Sequence, residues 1–239
     1  MTSSKAPPTT TPTPTVYFGY GSNLWHHQMA TRCPTSTYIG IARLRPYAWL
    51  INDRGYANVV EQDPKEPAST TRPKHSQSPS SKYATTVYGL VYTLLPSDES
   101  RLDVNEGVPV AYTKEYLSCD FWALDPDNPL NPSPPPPFAS STILSKIDTS
   151  APPTSTFPML VYIDRKRTSP SVPRKEYIYR MNRGIEDAVK CGVPEGYVDQ
   201  IMRTYIPADD NEEDEERGKM AEFARGQAER FKDESGILE

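Results

Sequence analysis

Thr15-Val-Tyr-Phe-Gly-Tyr-Gly-Ser-Asn-Leu24 passes directly from β-branched and aromatic residues into a turn of glycine, serine and asparagine. The first half reads as a strand, and the second as a turn able to aim several backbone N–H groups at one anion. A strand that delivers such donors to one spot is a candidate ligand cradle. The dinucleotide fingerprint is excluded, because the third glycine is absent and no strong crossover helix follows.

Outward from this turn, Val16 to Phe18 forms the first strand and Leu24 to Met29 a short helix or turn. Tyr38 to Asn52 alternates through Ile39, Ile41, Leu44, Tyr47, Trp49 and Ile51, which predicts one long or bent strand. Further strands are expected at Tyr56 to Glu61, Thr85 to Leu94, Tyr112 to Leu124 and Phe157 to Asp164. Ser97, followed by Asp98 and Glu99, is an N-cap candidate for a helix running toward Glu106, and Gly107 marks its end. From Lys175 the apolar period lengthens to about four. Tyr177, Met181, Ile185 and Val189 make one stripe, and Gly192-Val-Pro194 stops that helix. A second helix is expected over Glu195 to Tyr205, and a charged amphipathic one through Met220, Phe223 and Phe231. Together these predict one α+β domain with a bent antiparallel or mixed sheet and helices at one side.

Composition bounds the function. The 239 residues carry 26 prolines and a formal net charge of −5, which argues against a nucleic-acid surface. Residues 1–14 are rich in Thr and Pro without an apolar h-region, so a disordered tail is expected rather than a signal peptide. One globular domain is expected over 15–206, with polar insertions at about 63–84 and 125–156, followed by an acidic, partly helical extension over 207–239. No stretch approaches the length of a membrane span. Cys33, Cys119 and Cys191 are odd in number and lack paired metal spacing, which fits a reducing, cytoplasmic setting without a zinc site.

Two stretches carry candidate chemistry. In the turn, Tyr20, Gly21, Ser22 and Asn23 offer backbone and side-chain donors, although Gly19 and Gly21 also suit a ligand-free tight turn. Ser22 lacks the Gly-x-Ser-x-Gly elbow of a serine nucleophile. In Arg101-Leu-Asp-Val-Asn-Glu-Gly-Val108, Asp103 and Glu106 lie three apart. They read either as helix-surface acids or as a pair with one carboxylate held against the apolar wall of Leu102, Val104, Val108 and Val110. Such a wall raises a carboxyl pKa toward neutrality, as proton transfer requires. Tyr112, Tyr116 and Tyr162 are either cleft hydroxyls or core aromatics.

Taken in order, Tyr17-Phe-Gly-Tyr-Gly-Ser-Asn-Leu24 and Leu102-Asp-Val-Asn-Glu-Gly-Val108 resemble the γ-glutamylcyclotransferase family. Arg32 with Pro34, Ala42-Arg43-Leu44, Val87-Tyr-Gly-Leu-Val-Tyr92, Leu160-Val-Tyr162 and Gly192-Val-Pro-Glu-Gly-Tyr197 continue the likeness. The resemblance implies a small mixed or antiparallel β-barrel-like α+β fold with flanking helices. It implies Glu106 as catalytic acid/base, and Tyr20, Gly21, Ser22, Asn23, Leu24, Tyr112 and Tyr162 as substrate contacts. The implied reaction is attack of a γ-glutamyl α-amine on its own γ-carbonyl, releasing 5-oxoproline and an amine, with no metal or other cofactor. The implied partner is a small γ-glutamyl molecule as substrate; the chain itself is expected as a monomer or weak homodimer, between which the sequence does not choose. The Pro/Thr/Ser-rich extensions resemble fungal composition, where processing of glutathione-derived secondary metabolites is an alternative role. A γ-glutamylamine cyclotransferase and a noncatalytic binding descendant are the others.

Overall fold

β-Branched and aromatic runs build five strands that close into a barrel: β1 (Thr15–Gly19), β2 (Thr37–Leu44), β5 (Val87–Leu94), β6 (Thr113–Ala123) and β7 (Ser155–Ile163). The computed structural model describes residues 13–63, 81–130, 146–208 and 214–229. Around the barrel the order is β1-β5-β2-β6-β7; β1 closes it by pairing parallel to β7 at Tyr17 and Leu160, and the other pairings are antiparallel. Every residue of β5 is buried, because its two faces meet the barrel interior and the flanking layers. Phe18, Ile41, Leu90, Phe121 and Leu160 are among the residues that fill the core without exposure.

The stretch expected as one strand from Tyr38 to Asn52 divides at Arg45-Pro46. Its second half, β3 (Tyr47–Ile51), leaves the barrel and pairs with β4 (Ala57–Glu61) as a separate two-stranded sheet. Proline has no N–H to continue a ladder, so the alternating pattern runs through a point where hydrogen bonding stops.

The helices pack outside the barrel. After a 3-10 turn at Ser22–Leu24 comes α1 (His26–Arg32). The next helix, α2 (Pro96–Asn105), starts at Pro96 with Leu95 as cap, not at Ser97; proline at the first position gives up no N–H that the helix would use. α3 (Lys175–Cys191) buries Tyr177, Met181, Ile185 and Ala188. The expected helix from Glu195 to Tyr205 breaks into α4 (Glu195–Gln200) and a 3-10 turn at Met202–Thr204. α5 (Asp214–Glu229) lies against α1 and α3; it buries Ala224 and Ala228, while Phe223 faces solvent rather than forming the expected apolar stripe.

Most of the expected tail, the centres of both insertions, the acidic run through residue 213 and Phe231 lie outside the described residues. The flanks of the insertions are tied down. Tyr83 is buried, and residues 146–154 are held by hydrogen bonds from Ile147 N to Cys191 O, Thr154 N to Phe121 O and Trp122 Nε1 to Ala151 O. Among the described residues no helix is long and apolar enough to cross a membrane.

Candidate active site

β1 ends at one mouth of the barrel, and the turn that follows it forms one wall of a narrow cavity of about 50 Å³, the space of a few waters. Tyr20, Gly21, Ser22 and Asn23 line it, and so do Glu106, Tyr112 and Tyr162. The two sequence stretches separated by about eighty residues therefore meet, with Asn23 Nδ2 donating to Glu106 Oε1 at 2.9 Å. Leu24 does not reach the cavity. It is fully buried, with Gly184 of α3 packed so closely that a side chain there would strike Leu24, and it anchors the turn from behind. Tyr116 turns to solvent at 60% exposure.

Glu106 owes its position to the way α2 ends. Gly107 adopts φ +62°, a left-handed conformation that glycine takes without penalty. Gly107 N donates to Val104 O and Val108 N to Asp103 O, the paired bonds of a Schellman terminus. The helix stops with Glu106 as its cap residue, partly buried, its side chain reaching Asn23 inside the cavity. Burial pushes the Glu106 carboxyl above the usual carboxylate range; Arg32, the Asn23 hydrogen bond, Arg54 and Arg180 pull in the other direction and only partly offset it. Asp103, one turn earlier, does not line the cavity. It accepts from the Tyr162 hydroxyl at 2.7 Å and from Lys114 Nζ at 3.1 Å, and so holds Tyr162 in place.

The turn is fixed by a buried polar network. Ser22 Oγ accepts from Gln28 Nε2 at 2.9 Å and Arg180 Nη1 at 3.0 Å. Asn23 Oδ1 accepts from Gln28 Nε2 at 2.7 Å and from Arg32 Nη1 at 3.3 Å. With its oxygen so engaged, the amide must present Nδ2 to Glu106 and to the Tyr17 hydroxyl, 2.8 Å away. Arg180 forms a bidentate pair with Glu176, both fully buried. The backbone donors are more occupied than the sequence suggests. Ser22 N donates to the Tyr177 hydroxyl at 3.2 Å, and the N–H groups of Leu24 and Trp25 close the 3-10 turn.

Sequence reasoning missed Arg54, Tyr56, Tyr177 and Arg180 on the cavity wall, and Gln28 behind it. Arg54 enters between β3 and β4, its guanidinium 5.3 Å from the ring centres of both Tyr56 and Tyr112. The Tyr177 hydroxyl also accepts from Ala57 N, stitching the small sheet to the turn. Burial pushes the Tyr17, Tyr20 and Tyr112 hydroxyls well above their usual range and Tyr177 up to about 12, so all four stay protonated. No group of three or more His, Cys, Asp or Glu is placed to hold a metal among the described residues, and the three cysteines are buried and free.

No protein-family model and no curated protein matches the chain. Solved structures do. A protein from Homo sapiens described as uncharacterized superimposes with a TM-score of 0.54 at 16% identity, covering 88% of this chain and 99% of that one. A structure described as a gamma-glutamyl cyclotransferase gives 0.52 at 17% identity, covering 87% and 99%. The chain thus has the γ-glutamyl cyclotransferase-like fold, a small mixed β-barrel-like sheet flanked by helices.

Proposed function

We propose that the chain cleaves γ-glutamyl amides by intramolecular cyclisation, releasing 5-oxoproline and an amine. The observation that carries this reading is an inward carboxyl, Glu106, the one carboxyl lining the cavity among the described residues, hydrogen-bonded to the Asn23 amide and surrounded by guanidinium groups and neutral tyrosine hydroxyls. The fold shared with a protein described as a gamma-glutamyl cyclotransferase supports it.

The cavity's polar, hydroxyl- and guanidinium-bearing lining suits a γ-glutamyl head, with the leaving group directed outward. Its guanidinium groups, Arg54 among them, suit the α-carboxylate of that head. Glu106 then faces the α-ammonium. As a carboxylate it takes one proton from that group, and the freed amine attacks the γ-carbonyl carbon. A C–N bond forms and closes the five-membered ring; Glu106 hands its proton to the departing nitrogen as the original amide C–N bond breaks, then takes the second proton that the ring nitrogen sheds on becoming a lactam N–H and passes it to the released amine, which leaves as its ammonium. Both reacting groups belong to one molecule, so holding the head folded supplies most of the proximity advantage. A carboxyl raised above its usual range is the better matched base.

The test is to incubate the purified protein with γ-glutamyl-alanine, glutathione, γ-glutamyl-lysine and γ-glutamyl conjugates of sulfur-containing metabolites, and to follow 5-oxoproline by mass spectrometry. The preferred member of this panel also assigns the leaving-group class, including the secondary-metabolite role. Glu106→Gln keeps an acceptor for Asn23 and is expected to lower turnover by at least about 100-fold, on the order of 2.7 kcal/mol. Absence of 5-oxoproline from every substrate refutes the function, and near-normal turnover by folded Glu106→Gln refutes the assignment of the base.

A further inference from the structure

We propose that α5 is a positioning element of the site, acting through Arg32: its carbonyls at Gln227 and Ala228 hold the guanidinium that fixes the Asn23 amide toward Glu106. Arg32 Nε donates to Ala228 O at 3.1 Å and Nη2 to Gln227 O at 3.0 Å, while Nη1 donates to Asn23 Oδ1 at 3.3 Å. Both carbonyls belong to α5 residues whose side chains are buried, so the two bonds form inside the packed interface. One planar fork thus joins α5 to the turn that lines the cavity.

The geometry gives the connection a direction. Asn23 is held by two donors on its oxygen, Arg32 and Gln28, and passes that orientation on through Nδ2 to Glu106 at 2.9 Å. Loss of Arg32 removes one of the two donors on the amide oxygen and leaves Gln28 to hold it, while Nδ2 keeps its bonds to Tyr17 and Glu106. Among the described side chains of α5, Ala224 and Ala228 are fully buried and Gln227 nearly so, and the helix packs against α1 and α3. Small side chains bury little apolar area, and the two bonds from Arg32 add a directional contact that helps keep the helix seated. Coupling of this kind is reciprocal: what seats the helix also orders the turn.

Two arms test this on the full chain. The first is hydrogen exchange of the α5 amides and needs no substrate. Arg32→Gln is expected to speed exchange across 218–229 by about 10-fold or more, whereas Arg32→Lys, which keeps the charge without the fork, gives a smaller increase. Wild-type protection of α5 in Arg32→Gln overturns the proposal. The second arm rests on the proposed cyclisation and uses Ala224→Glu, which places a charge in the docking face without touching the barrel or the cavity. Unseating α5 this way should lower kcat by about 10-fold at nearly constant KM, because the substrate head keeps its contacts while the Asn23–Glu106 alignment loosens. In an Arg32→Gln background the same substitution should cause almost no further loss. Unchanged kcat with α5 demonstrably unprotected overturns the proposal, as does a full additional loss in the Arg32→Gln background. If the wild-type chain turns over no γ-glutamyl substrate, the cyclisation reading fails and the exchange arm alone decides the linkage.

Discussion

Gly21→Ala probes the turn with one methyl group. A Cβ at Gly21 would lie 2.8 Å from the Tyr177 hydroxyl oxygen and 3.2 Å from the Ala57 Cβ, so something must move. Gly21 has φ −111°, so the demand for glycine comes from close approach and not from a left-handed backbone. Tyr177 is poorly placed to recoil: its ring packs edge-on against Tyr56 at 5.1 Å, and the Arg180 guanidinium lies 5.0 Å from its centre. Its hydroxyl accepts from both Ser22 N and Ala57 N at 3.2 Å, and a shift of a few tenths of an ångström weakens both bonds at once. Overpacking of this size costs about 1–3 kcal/mol, with roughly 1 kcal/mol for each hydrogen bond lost. At about 2–4 °C per kcal/mol for a chain of this length, the melting temperature should fall by roughly 2–12 °C. The KM for the γ-glutamyl substrate should rise, since Ser22 and Asn23 shift with the turn. Gly19→Ala is the control, because a Cβ there meets nothing closer than 3.4 Å and should be nearly silent. Calorimetry and steady-state kinetics on both variants, and on Gly21→Ala combined with Tyr177→Phe, complete the test. Removing the hydroxyl should make the double variant less damaged than the sum of the singles. Equal effects of the two alanine substitutions, or strict additivity with Tyr177→Phe, would refute the steric reasoning.

Glu106→Gln should melt higher than wild type at neutral pH even as turnover collapses. A carboxyl whose folded pKa is raised binds its proton more tightly in the native state, so stability falls as pH rises through that value; the melting advantage of the variant should shrink toward acid pH. The same raised value should put the acid limb of kcat/KM above the ordinary glutamate range, and a limb at or below that range would contradict the burial argument. His26 is held down to about 4 by burial, with Lys190 adding to it, while its ring contacts the Tyr92 hydroxyl at 3.0 Å. The unfolded chain therefore takes up the proton first, and stability drops as pH falls from about 6.5 toward 4, by up to about 3 kcal/mol. Urea unfolding of wild type and His26→Gln across that window should converge, and parallel curves would refute the assignment. Arg180→Met should cost about 3–5 kcal/mol because it strands the buried Glu176 carboxylate, and Arg180→Met with Glu176→Gln should recover part of the loss in chemical denaturation.

The parts of the site that the sequence made legible are those whose cause is local. The turn from Gly19 to Asn23 follows from glycine and small polar residues after an aromatic strand, and the end of α2 follows from Gly107, whose φ of +62° allows the paired terminal bonds. These two signals bring Asn23 and Glu106 within hydrogen-bond distance only because the barrel closes by pairing β1 with β5 and β7, which no local pattern states. Arg180 shows why the remainder was hidden. With Glu176 it forms an acid–base pair four residues apart on a helix, the commonest arrangement on an exposed helical face. Yet Arg180 lies three residues beyond Tyr177 and four before Gly184, on the stripe that turns inward, and its guanidinium reaches Ser22 across 158 residues of chain. Side-chain charge gave one reading and helical phase the other; packing decided for phase. Arg54 had no periodic signal at all, since it sits in a connection, and its value as a wall of the cavity arises from Tyr56 and Tyr112 on either side of it. The long run from Tyr38 to Asn52 misled for the converse reason. Its alternation is real on both sides of Pro46, but a missing N–H redirects the second half into another sheet, and that redirection is what carries Arg54 and Tyr56 to the cavity.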